Sequence, residues 1–313
     1  MMHRLESEQL SFTVLPERGA KIASFYHEPT ATELLWQPAG DGGGTAADYK
    51  TAASVAAGIA FDAEQGWGWD EMFPAIHAER FEDESGRRVD VPDHGEVWTM
   101  PWEVLQSSGE TSVTLGVTSP SMGYRLRRTT TLRASSVLHE YELENTGEAE
   151  LPWMWAAHPL FVLRAGSSLQ VPGIWDTVRN AHESPAMPEY DRLYPYPGAG
   201  TGSEPRLDTL PAPDSGSTLK YFFERPNDDP ELGITLSQPS ISLDISVTAD
   251  PRIVPWYGIW CNAGGLWGHN NVAIEPASAP MDSLSAAERL GRLPRLAAGD
   301  RVSWWMLVSV TAY

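Results

Sequence analysis

GYRLRRTTTLRASSVLHEYELEN, residues 123 to 145, reads as two extended segments in succession, rich in β-branched, aromatic and leucine residues and closed by Asn145. Short runs of this kind bounded by Gly, Asn, Asp and Pro are the signature of strands in an antiparallel all-β fold. Polar and apolar positions within 124 to 132 alternate only loosely, and their Arg and Thr content predicts one face in water or lining a cleft. The same pattern recurs along the chain, at 10 to 15 (LSFTVL), 20 to 26 (AKIASFY), 111 to 118 (TSVTLGVT), 219 to 223, 232 to 237, 241 to 247, 254 to 260 and 302 to 311. Two helical signals interrupt it. Residues 46 to 57 (AADYKTAASVAA) are alanine-rich, and SLSAAERL at 283 to 290 starts on a capping serine and stops at Gly291.

Residues 181 to 217 concentrate proline, glycine and acidic side chains and read as one long loop, with Tyr190, Tyr194 and Tyr196 suited to an ordered rim. Strand-like pattern continues on both sides of it, and no repeat of 20 to 50 residues interrupts the chain, so a single domain over residues 1 to 313 is expected. The Gly42-Gly43-Gly44 run lacks the Lys-Ser/Thr that a phosphate-cradling loop requires.

The chain carries 22 basic and 42 acidic residues, a net charge of −20, which repels phosphate backbones and anionic lipid. Nucleic acid and membrane partners are therefore not expected. One cysteine, Cys261, excludes an intrachain disulfide and fits a reducing compartment, and its surroundings suggest a buried thiol rather than a nucleophile. No apolar run is long enough for a signal peptide or a membrane span, so a cytoplasmic protein is expected.

His158 ends an apolar aromatic segment (Trp153, Met154, Trp155) and is followed by proline, while Glu275 in NVAIEPASAP ends a short apolar strand before another proline. An imidazole and a carboxylate can serve one substrate as acid and base, and Glu275 would be costly to bury as an unpaired ion. His94 in PDHGEVW supplies a third polar element, sharing one strand face with Glu96. In GWGWDEMFPAI, Asp70 and Glu71 point to opposite faces if the segment is extended, so only one can face a site, and Asp70 is the candidate ligand for substrate hydroxyls. The chain has 13 tryptophans, and those beside polar motifs, among them Trp69 and Trp260, suit the C–H face of a sugar ring. No compact metal motif and no G-x-S-x-G elbow is present.

In chain order these pieces resemble the aldose 1-epimerase, or galactose mutarotase-like, family: HGEVWTMPWEV at 94 to 104, H-x-x-F from His158 to Phe161, Trp-Cys-Asn at 260 to 262, Glu275-Pro276, and the closing GDRVSWWMLVSV. The family's Arg-Asn signature upstream of the first histidine is absent, and GWGWDEMFP stands in its place. The resemblance implies a large antiparallel β-sandwich, a supersandwich, with a sugar in an open cleft across one sheet. It implies His158 as the acid on the ring oxygen, Glu275 as the base on the anomeric hydroxyl, and His94 holding the sugar, with no metal or cofactor. A non-catalytic sugar-binding protein of the same fold, or a glycoside-processing enzyme using Asp70 and Glu275, remains an alternative.

Overall fold

The computed structural model of the chain describes residues 2–37, 61–82, 86, 88–198 and 205–313. Two large sheets stack face to face, and every named strand pair among the described residues is antiparallel. One sheet has 12 strands and runs in the order His3–Glu6, Leu10–Leu15, Lys21–His27, Trp69–Met72, Ala156–Pro159, Asn270–Ala277, Trp256–Ala263, Ser217–Phe223, Thr177–Asn180 and Leu193–Pro195, with Phe161–Val162 and Thr32–Glu33 as side branches. The other has 8 strands, from Ser168–Gln170 through Gly233–Gln238, Leu243–Ala249, Arg301–Ala312, Ser136–Asn145, Tyr124–Arg133 and Ser112–Ser119 to Glu103–Ser108. The all-β sandwich expected from the sequence is therefore present. Helix Leu284–Arg289 is capped by Ser283, whose hydroxyl accepts from the Ala286 N–H. The alanine-rich 46 to 57 segment lies outside the described residues. The 181 to 217 region is not loop throughout, because Leu193–Pro195 pairs with Thr177–Asn180.

Strand Tyr124–Arg133 alternates strictly in burial where its composition looked loose. Its inward positions include Arg128 and Thr130, two polar side chains that form hydrogen bonds inside the core, although Arg128 Nε has no partner among the described residues. Arg128 Nη1 donates to Glu71 Oε1 at 2.7 Å and Nη2 to the Ala20 carbonyl at 2.7 Å, while Thr130 Oγ1 meets His139 Nδ1 at 3.0 Å. Glu71 also accepts from the Tyr141 hydroxyl at 3.0 Å and the Trp155 indole at 2.7 Å. A charge pair without exposed surface on either side is tolerated only when hydrogen-bonded in this way. The outward Arg125 and Arg127 lie opposite Glu144 and Glu142 across the ladder and pair with them. The outer face is a solvated ion-pair lattice, not a cleft. The apolar core between the sheets is built on Phe12, Phe25, Trp69, Leu126, Trp155 and Trp304.

Candidate active site

Alternation along the central strands of the 12-stranded sheet assembles the site. In Asn270–Ala277, Val272 and Ile274 enter the core, so Asn271, Ala273 and Glu275 project from the outer face. In Trp256–Ala263, Tyr257, Ile259 and Cys261 are inward, leaving Gly258, Trp260 and Asn262 outward, and in Ser217–Phe223 the same rule turns Lys220 outward between Leu219 and Tyr221. His158 follows inward Ala157 and joins that outer face. Above these residues lies a cavity of about 270 Å³ whose lining includes His94, His158, Lys220, Trp260, Asn262 and Asp282.

His158 Nε2 lies 3.8 Å from Glu275 Oε1. Glu275 Oε2 accepts from Lys220 Nζ, and Oε1 and His158 Nδ1 are buried with no hydrogen-bond partner among the described residues. Burial pushes the Glu275 carboxyl above the usual carboxylate range, and the Lys220 ammonium opposes that rise. Burial pushes His158 well below the usual imidazole range, and the charges of His94, Lys220 and Lys21 act in the same direction. Lys220 is held above its ordinary value despite its burial, because Asp282 and Glu275 flank it.

His94 reaches the cavity from a tight turn rather than a strand, since it has φ 60° and is followed by Gly95 at φ 73°. A β-carbon on Gly95 would overlap the Phe73 carbonyl, which explains why glycine follows the histidine. The turn sends Glu96 away from the site, where it accepts from the Tyr124 hydroxyl at 2.6 Å, so the expected shared face of His94 and Glu96 does not form. The His94 ring stacks on Phe61 at 3.8 Å and stands 5.3 Å from the His158 ring. Its Nδ1 lies 3.1 Å from Asp93 Oδ1.

Three of the six site candidates are not among the residues that line the cavity, namely Trp69, Asp70 and Glu275, the last wholly buried against the lining residues His158 and Lys220. Trp69 is turned inward and packs edge-on against Phe12 and His139 in the core. Asp70 projects to the correct face, directly opposite His158 in the ladder, but Lys21 Nζ covers it and also donates to the Trp67 carbonyl at 2.7 Å. Neither member of that pair has exposed side-chain surface. Trp260 does line the cavity, its indole donating to Asn271 Oδ1 at 3.1 Å. The sequence reading passed over Phe61, Lys220, Asp282, His182, His269 and Trp267, all of which line the cavity. Lys220 alone carried a legible signal, a charged residue inside the apolar run STLKYFF. Cys261 is buried on the inner side, its thiol pushed up to about 12 by burial. Among the described residues no group of three or more His, Cys, Asp or Glu is arranged to hold a metal ion. No described helix is long and apolar enough to cross a membrane.

The aldose 1-epimerase family model matches residues 82–309, and the chain belongs to that family. Solved structures agree on the fold. The Slr1438 protein of Synechocystis sp. PCC 6803 superposes with a TM-score of 0.74 at 17% identity, covering 100% of this chain and 96% of its own. A putative aldose 1-epimerase from Escherichia coli K12 gives 0.72 at 19% identity over 100% and 99% of the two chains. The GalM/aldose epimerase homologue of C. elegans gives 0.69 at 14% identity over 100% and 99%. No curated protein matches the sequence.

Proposed function

We propose that this protein is an aldose 1-epimerase that interconverts the anomers of an unphosphorylated hexose or a related sugar, with residues 1 to 313 acting as one cytoplasmic domain. The observation that carries this reading is a facing pair, His158 Nε2 on the cavity wall and the wholly buried Glu275 Oε1, 3.8 Å apart, with that carboxylate oxygen accepting no hydrogen bond among the described residues. Two groups so close can address the two oxygens on one anomeric carbon. One proton shared by the pair suffices. Glu275 Oε1 removes the proton of the anomeric hydroxyl as the bond from C1 to the ring oxygen breaks, and His158 Nε2 delivers its proton to that ring oxygen. The open aldehyde turns about its C1–C2 bond and closes on the other face, returning both protons. Burial disfavours the charged form of each partner, raising the Glu275 carboxyl and lowering the His158 imidazole. His94 and Trp260 are assigned to holding the sugar.

The preference for a sugar without phosphate rests on the lining. Its carboxylates are Asp93 and Asp282, its lysine is engaged by Glu275 and Asp282, and no arginine is among its residues. The glycoside-processing alternative loses support because Asp70, its proposed second carboxylate, is covered by Lys21.

The test is NMR magnetisation transfer between anomers on a panel of aldoses, with wild type beside Glu275→Gln and His158→Ala. Acceleration with one sugar, lost in both variants, is expected. Chemical-shift perturbation by a sugar with no acceleration would instead point to the non-catalytic binding protein.

A further inference from the structure

Glu275 is not alone on its strand face. Lys220, from the strand beyond Trp256–Ala263, contacts Glu275 Oε2 and stands 3.6 Å from Asp282 Oδ1, which puts a buried carboxylate, a buried ammonium and a partly exposed second carboxylate in a row. Gly258 lies directly opposite Glu275 on the intervening strand, and the Phe222 ring packs where its β-carbon would stand. Asp282 is anchored through its backbone, its carbonyl accepting from the Ile76 N–H at 3.1 Å and the His77 N–H at 2.6 Å. Its Oδ1 has no hydrogen-bond partner among the described residues.

We propose that Lys220 and Asp282 are positioning residues acting on Glu275 in opposition: Lys220 pins Oε2, leaves Oε1 facing His158 and favours the ionised carboxylate, and Asp282 moderates that hold. The geometry requires this division. A fully buried carboxylate beside an ammonium keeps its charge, and a second carboxylate beyond the ammonium weakens the attraction by sharing it. The other titratable groups near Glu275 are His158 from strand Ala156–Pro159, His94 from its turn, and His182 near Lys220, with the Lys21–Asp70 pair behind His158. None of them touches Oε2. The kinetic side of this inference rests on the epimerase reading, whereas the ionisation side does not.

The experiment is a 13C-glutamate NMR titration of the Glu275 carboxyl, assigned by its loss in Glu275→Gln, in wild type, Lys220→Met and Asp282→Asn. Lys220→Met is expected to raise the Glu275 midpoint by about one pH unit or more, and Asp282→Asn to lower it. Midpoints unchanged in both variants, or moved in the same direction, overturn the proposal, because general loosening of the site has no reason to produce opposite signs. If Lys220→Met fails to fold, Lys220→Arg should keep the wild-type midpoint, and a rise in Asp282→Asn still overturns the idea. In the kinetic arm, anomer exchange by Lys220→Met falls at neutral pH and recovers as the pH rises. Absence of exchange in wild type counts against the epimerase reading and leaves the titration to decide on Lys220 and Asp282.

Discussion

Asn262 clasps Leu266 from both sides of one residue, its amide donating to the Leu266 carbonyl at 2.8 Å and its carbonyl accepting the Leu266 N–H at 3.0 Å. The clasp shapes the turn that carries Trp267, which has φ 56° and stays 45% exposed at the cavity mouth. Its ring lies edge-on to His269, which in turn stacks on Trp36 at 3.9 Å. An exposed indole held in the left-handed region and lining a cavity is suited to a sugar face. Trp267→Ala should raise KM for the sugar about tenfold with kcat nearly unchanged, a loss of about 1.4 kcal/mol of binding. Asn262→Ala should do the same less strongly and lower stability by about 1–2 kcal/mol. A fall in kcat alone would place Trp267 in the chemistry instead.

The Glu71 knot invites a stability measurement. Glu71→Ala leaves Arg128 buried without its counter-ion and strips Tyr141 and Trp155 of their acceptor, and urea unfolding should report a loss of about 3–5 kcal/mol. Pairing it with Arg128→Met should recover much of that loss, since an apolar pair of similar volume avoids the uncompensated charge. A loss below about 1 kcal/mol in Glu71→Ala would mean the knot does not hold the sheets.

Acid sensitivity follows from His139. Burial holds it well below the usual imidazole range, and the Arg128 charge pushes the same way, so the native ring stays neutral. The unfolded chain takes up that proton first as pH falls through about 6.5. Stability is therefore fully present above that pH and declines below it, by up to about 1.4 kcal/mol per pH unit for this one group. His139→Gln should flatten the dependence of stability on pH between 7 and 5 by about one proton. An unchanged slope would show that His139 takes up its proton in the native state as it does in the unfolded chain.

Phosphorylated hexoses should compete poorly. The lining offers carboxylates and one engaged lysine, so hexose 6-phosphates should bind at least about tenfold more weakly than the parent sugar. Tighter binding of the phosphate ester, read by competition in the exchange assay, would reverse the assignment of substrate class.

The sandwich was legible because most strands announce themselves by side-chain type and alternation, and His158 and Glu275 because each is a polar group ending an apolar strand. What misled lay across the chain. The Arg and Thr content around Arg128 pointed to a face in water or lining a cleft, since the buried partner Glu71 is 57 positions away, and the outward-facing Asp70 looked available because the Lys21 that covers it is 49 positions away. Trp69 and Trp260 both stand beside polar motifs, and only their opposite sides of the sheet separate a core ring from a cavity ring. Lys220 was readable by the argument applied to Glu275, a lone charge in an apolar strand.

The hydrogen bonds converging on Glu71 come from both sheets, Arg128 and Tyr141 from one and Trp155 from the approach to the His158 strand in the other. They work as a locking pin through the sandwich. The sheet that carries Glu71 and His158 cannot glide over the opposite sheet without shearing the bonds from Arg128 and Tyr141, so on the epimerase reading accommodation of differently shaped sugars falls to the turns at the rim. Variants that broaden the range of accepted sugars should therefore be sought around His94 and Trp267, and that sheet should behave as a fixed datum against which those turns move.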